Sequence, residues 1–316
     1  MTLGTRMMSL FILAVVAVVI GLLISSRFYT QKIEQHLPPS GQFVAVQDHR
    51  LHVIQAGDTG PAVLLLHGAS ANAREYSWSL IPRLSSTHRL FSLDRPGHGY
   101  SDRPEAAHQL AVQAAQAAHA LKALAPGERV SVVGHSFGGA VALRLALDYP
   151  ELVSNLVLLA PVTHDWGGGG EAWYNRYAAH PWIGPVFNHL PHLIGPAQVN
   201  QSVHKVFSPQ PAPEGYYDQS GVGLLFRPSA FRANAEDVNA LRGELAAQQS
   251  RYSELTLPIV VYSGAGDTVL SPQLHVGKLK HQVPHLQLVK LAEGGHMPHH
   301  AYGAEIAETL RQLSVD

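Results

Sequence analysis

The feature that most constrains this chain is the run Val130-Ser131-Val132-Val133-Gly134-His135-Ser136-Phe137-Gly138-Gly139 followed by Ala140-Val141-Ala142-Leu143-Arg144-Leu145-Ala146-Leu147. β-Branched apolar residues favour a strand, and the Ala/Leu-rich stretch favours a helix. Only a sharp turn joins the two. Glycines at 134 and 138 suit it, because a strand that reverses directly into a helix leaves no room for Cβ atoms beside the central residue. Ser136 is then held out at the end of a sheet. The dipole and free N–H groups of the helix beyond it favour negative charge on an oxygen at that point, which is what a tetrahedral intermediate carries.

Other runs behave in the same way. Ala62-Val63-Leu64-Leu65-Leu66 is a continuous apolar run, as expected of a strand covered on both faces of a parallel sheet, and it ends at His67-Gly68-Ala69-Ser70. A His-Gly there turns the backbone and points the following N–H groups at the crevice where α/β folds bind ligands, making the Ala69 N–H a candidate half of an oxyanion hole. Phe43–Val46 and Leu51–Ile54 read as a hairpin, and Arg89–Leu93, Asn155–Ala160, Pro258–Ser263 and Leu286–Leu291 as further strands. Helices are expected over 108–124, 230–249 and 304–313. Asp94, in the loop Asp94-Arg95-Pro96-Gly97-His98-Gly99-Tyr100-Ser101, is read as a structural acceptor for loop N–H groups.

A serine hydroxyl is a weak nucleophile at neutral pH and needs a base, which in turn needs an acid residue to fix its tautomer. The strand ending in Gly264-Ala265-Gly266-Asp267 supplies an acid, and the one ending in Glu293-Gly294-Gly295-His296 supplies a base. Asp165, after the preceding strand, is the rival acid. His299 and His300 are rival bases.

The pattern resembles the α/β-hydrolase superfamily over residues 42–313. The resemblance is carried by His67-Gly68, Asp94-x-Pro-Gly-x-Gly-x-Ser101, Gly134-x-Ser136-x-Gly138-Gly139, Gly266-Asp267 and Gly295-His296. It implies a mostly parallel eight-stranded sheet flanked by helices, Ser136 as nucleophile, Asp267 and His296 as its partners, and the N–H groups of Phe137 and Ala69 as oxyanion hole. Epoxide hydrolases and haloalkane dehalogenases are similar in overall pattern but carry aspartate at the turn, so the serine here departs from both. The chain also looks like membrane-bound monoacylglycerol lipases and carboxylesterases. Carbon–carbon hydrolases of ring-fission products share the same three residues, and some receptors of the superfamily keep them without catalysis.

Composition narrows the field. With 22 Lys+Arg against 23 Asp+Glu there is no basic stripe for nucleic acid, so none is expected as partner. The absence of cysteine removes disulfides, thiolate metal sites and cysteine nucleophiles. No cofactor is implied and no metal is expected, although His296-x-x-His299-His300 and His189-x-x-His192 have spacings that suit one.

Residues 7–26 carry no charge and lie between Arg6 and Arg27; about 20 residues at 1.5 Å each match a bilayer core. The apolar run exceeds a signal-peptide core and Ile24-Ser25-Ser26 is a poor cleavage site, which favours an uncleaved anchor with the domain on the outer side. The expected layout is an anchor over 1–28, a polar tether over 29–41, an α/β core over 42–161 and 257–316, and a helical lid over 162–256. The lid's aromatic residues either bury an apolar substrate or form its own core.

Overall fold

The computed structural model describes residues 3–168 and 172–314. Positions 1–2 of the expected anchor, 315–316 of the expected core, and Gly169 and Gly170 of the glycine run lie outside them. The chain begins with helix α1 (Leu3–His36), then enters strands β1 (Gln42–Val46), β2 (His49–Ala56), β3 (Ala62–Leu66) and β4 (Arg89–Leu93). Helix α2 (Leu110–Leu124) leads to β5 (Val130–His135), α3 (Phe137–Asp148) and β6 (Val153–Leu159). The insertion before the sheet resumes includes helices α4 (Trp173–Ala178), α5 (Gly184–Phe187), α6 (Pro191–Phe207) and α7 (Pro228–Gln248). Strands β7 (Ile259–Gly264) and β8 (Gln287–Leu291) and helix α8 (Gly303–Leu313) complete it.

The eight strands form one sheet in the order β1-β2-β4-β3-β5-β6-β7-β8. The hairpin β1–β2 and the β2–β4 pair are antiparallel, and every other pair is parallel. Strand periodicity explains the two layers on its faces. Leu64, Leu66 and Val132 point into the core under α2 and α3, whereas Val63, Leu65 and Val133 point to the opposite face, where Ile306, Ala307 and Leu310 of α8 close it. Alanines at 114, 117, 118 and 120 let α2 lie close against its layer. Parallel order brings the carboxyl ends of β3, β5, β7 and β8 to one rim, where α/β sheets bind their ligands.

Helix α1 differs from the expected division into anchor and tether. It runs unbroken through the stretch read as a tether and stops only at His36, before Pro38-Pro39. Tertiary contacts hold it. Ile33 and Leu37 pack against Leu224 of the insertion between β6 and β7, the Tyr29 hydroxyl donates to the Gly223 carbonyl at 2.9 Å, and Glu34 pairs with Arg227 at 2.7 Å. The earlier turns of the helix are exposed. Leu10, Phe11, Leu13 and Val18 stand in solvent, and the helix is long and apolar enough to cross a membrane.

Candidate active site

The turn after β5 is built as its glycines require. Ser136 has φ 50° and ψ −114°, a region that L residues rarely occupy. A Cβ at Gly138 would stand 2.2 Å from the Leu66 carbonyl oxygen, and one at Gly134 would stand 2.6 Å from that of Gly138. The Ser136 backbone is locked on both sides: its N–H donates to the Leu159 carbonyl at 3.0 Å, and its carbonyl accepts from Gly139 at 3.0 Å and Val162 at 3.2 Å. The side chain is thereby turned out of the sheet into a cavity. Among the described residues its hydroxyl makes no hydrogen bond. Bonds to a catalytic base commonly tighten only when substrate is present.

His296 lines the same cavity. Its Nδ1 donates to Asp267 Oδ2 at 2.8 Å, with both side chains almost fully buried. The other oxygen of Asp267 accepts the N–H groups of Val269 and Leu270 at 2.8 and 3.0 Å. Burial opposes ionisation of this carboxyl, but the His296 hydrogen bond and charge together with the two N–H donors outweigh it, holding its pKa below the ordinary carboxylate value. The rival Asp165 is elsewhere, 3.6 Å from the Arg242 guanidinium and capping its own loop at Gly167. A further residue holds the backbone of His296: His135, immediately before Ser136, donates from Nε2 to the His296 carbonyl at 2.9 Å. The sequence names His135 only as a variable position in the motif.

The loop after β3 brings Ala69 to the cavity wall beside Ser136. Phe137 opens α3, where an N–H has no carbonyl one turn back to bond. Arg95 supports both. It donates to the carbonyls of His67 at 3.0 Å and Gly68 at 3.1 Å, lies 4.3 Å over the Phe137 ring, and pairs with Asp237 of α7 at 2.8 Å. Asn234, also on α7, accepts the Ser70 N–H at 2.6 Å. Asp94 is a loop acceptor, taking the N–H groups of Ala73 at 2.6 Å and Tyr100 at 2.9 Å and pairing with His52 at 2.7 Å.

The cavity holds about 720 Å³. Trp173, Tyr174, Phe187, Tyr216, Phe226 and Phe231 of the insertion are among its walls, whereas Trp182 points away into solvent. Among its described lining residues there is no Lys or Arg, and the carboxylate is Glu75. Glu75 is fully buried and accepts from His299 at 3.0 Å, His300 at 2.7 Å and the Tyr216 hydroxyl at 2.7 Å. Its oxygens and the two imidazoles bring metal-capable atoms within 4.8 Å of one another. Of the histidines whose spacing suits a metal, His296 turns to Asp267, His299 and His300 to Glu75, and His189 and His192 to Ser26 and Ser25 of α1.

Comparison with known families agrees with this architecture. The model of the alpha/beta hydrolase fold family matches residues 61–301, three-quarters of the chain. The chain belongs to that family. Among relatives of this hydrolase-fold chain, the 2-hydroxymuconate semialdehyde hydrolase of Pseudomonas sp. strain CF600 is 27% identical over 262 residues, 77% of this chain and 87% of that protein. The pimeloyl-[acyl-carrier protein] methyl ester esterase of Nitrosomonas europaea is 28% identical over 256 residues, 78% of this chain and 93% of that protein. A solved esterase from Exiguobacterium antarcticum superposes with a TM-score of 0.70 at 21% identity, covering 87% of this chain and all of that one, which is a likeness of fold.

Proposed function

We propose that this alpha/beta hydrolase fold chain is a serine hydrolase of carboxylic esters with apolar acyl groups, working through an acyl-enzyme. Ser136 Oγ attacks the ester carbonyl while its proton passes to Nε2 of His296, and Asp267 holds the imidazole through Nδ1 and stabilises the imidazolium. The oxyanion is bound by the N–H groups of Phe137 and Ala69. His296 returns the proton to the departing alcohol. Water then attacks the acyl-enzyme, losing a proton to His296, which passes it to Ser136 Oγ as the carboxylic acid leaves. The observation that carries the reading is the buried Asp267–His296 pair set in the same apolar cavity as a serine held at φ 50°.

The test is hydrolysis of a medium-chain p-nitrophenyl ester. Ser136→Ala is expected to lose on the order of 10³-fold or more in kcat. Asp267→Asn is expected to lose on the order of 10³-fold and Asp165→Asn less than about twofold; a larger loss at Asp165 reverses the acid assignment.

The Pseudomonas relative favours a second reading, cleavage of a carbon–carbon bond in a ring-fission product. Such a substrate carries a carboxylate, and among its described lining residues this cavity offers Glu75 and no Lys or Arg, which supports the ester. A panel of both substrate types decides between them. α1 supports a single-helix anchor, and we assign the domain to the outer side of that membrane. An alkaline phosphatase fusion after Gln35 that is inactive in intact cells would reverse that side.

A further inference from the structure

The apolar side chains that the insertion leaves in solvent are clustered. Trp182, Ile183, Val186, Leu190, Leu193 and Ile194 are each 40% or more exposed, with Trp182 at 86%. They fall within residues 182–194, on α5, the start of α6 and the turns beside them, which successive short-range hydrogen bonds join into one segment. The residues between them turn the other way. His189 Nδ1 meets the Ser26 hydroxyl at 2.9 Å and His192 Nε2 meets that of Ser25 at 3.1 Å. Those serines stand at the last turn of the uncharged run of α1, directly before Arg27. The apolar face therefore lies beside the point where the spanning segment leaves the domain, and α1 is fixed to the insertion there by the Glu34–Arg227 and Tyr29–Gly223 contacts.

The same face is also the rim of the cavity. Leu190 and Ile194, with Trp173 at 70% and Tyr174 at 40% exposure, both stand in solvent and line the space that holds Ser136. We propose that this face is seated in the interfacial layer of the membrane that α1 crosses, and that the cavity takes its ester laterally from that membrane. Large aromatics with a polar atom suit the interface, and an amphipathic helix pair beside a span buries its apolar side there without further chain. The seating stands on the surface and on α1. The uptake rests on the reading of the Ser136 cavity as the active site.

The chain has no cysteine, so Trp182→Cys and Leu193→Cys each give one labelling site in the full-length protein. Each is labelled with a nitroxide in phosphatidylcholine nanodiscs, with Glu151→Cys, at the opposite end of the sheet, as reference. Labels at 182 and 193 are expected to be at least threefold less accessible to an aqueous relaxing agent than the label at 151, and more accessible to oxygen. Equal accessibility overturns the seating, and so does protection accompanied by spin–spin coupling between copies, which assigns the face to a second molecule. For uptake, the double variant Trp182→Ser, Leu193→Ser alters the face outside the cavity. It is expected to lose at least tenfold in hydrolysis of a long-chain monoester held in the nanodisc while keeping soluble butyrate ester hydrolysis within twofold. Equal retention of both overturns the uptake. Activity that survives Ser136→Ala instead removes the active-site reading and leaves the labelling result to judge the seating.

Discussion

Ser136 is held in a strained conformation by neighbours that permit nothing larger than hydrogen at Gly134 and Gly138, so the turn stores energy in the residue proposed to react. Backbone in such a region carries on the order of 1–3 kcal/mol. Ser136→Gly is therefore expected to raise stability in urea unfolding by about 1 kcal/mol while abolishing esterase activity; a fall in stability would show that the turn is unstrained. Gly138→Ala is expected to destabilise by about 3 kcal/mol on the same measurement, because the added methyl meets the Leu66 backbone carbonyl and neither strand nor helix can yield. Both follow from the motif itself. The partner of His296 did not, since Asp267 and Asp165 each follow a strand; what separates them is the position of the imidazole, within 2.8 Å of Asp267 and turned away from Asp165.

Helix α7 is the element that joins the insertion to the catalytic rim. Asp237 is fully buried and accepts from Arg95 at 2.8 Å, Arg103 at 2.9 Å and Gln113 at 3.0 Å, and Arg95 in turn holds the His67-Gly68 backbone. Asp237→Asn leaves a buried guanidinium without its counter-charge, so it is expected to lower stability in urea unfolding by about 3–5 kcal/mol. Asn234→Ala frees the Ser70 N–H next to Ala69 and is expected to lower kcat more than it changes KM, because the loop it holds carries the Ala69 N–H proposed to bind the oxyanion. Neither residue is conspicuous in the sequence. Asp237 and Arg95 are 142 positions apart, and their pairing exists only because α7 crosses the loops after β3 and β4. For the same reason α1 outruns its expected end: a polar stretch from Tyr29 stays helical because Tyr29, Ile33 and Glu34 find partners on the insertion.

At the scale of the whole molecule, buried histidines set the response to acid. Burial first, and then neighbouring positive groups, hold His67, His98 and His135 well below the ordinary histidine pKa, and burial with the charge of His164 brings His275 down to about 4. In the unfolded chain these groups titrate near 6.5, so below that pH the unfolded state binds more protons than the folded one. Their contribution is complete above about 6.5 and is lost as pH falls towards the folded values. The unfolding free energy from urea titrations is expected to fall between pH 6.5 and pH 5, by up to about 1.4 kcal/mol per pH unit for each such group, and His275→Gln is expected to flatten that slope by about one proton. The sequence by itself determined the strand–turn–helix at Ser136, the apolar strands of a parallel sheet and the uncharged run of α1, because local sterics and hydrophobic periodicity fix those within a few residues. Tertiary structure alone decided which acid meets His296, that Glu75 gathers His299, His300 and Tyr216, and that the insertion docks on α1. Each of those depends on segments tens to hundreds of positions apart meeting in space, and in the chain's linear order no physical quantity records that meeting.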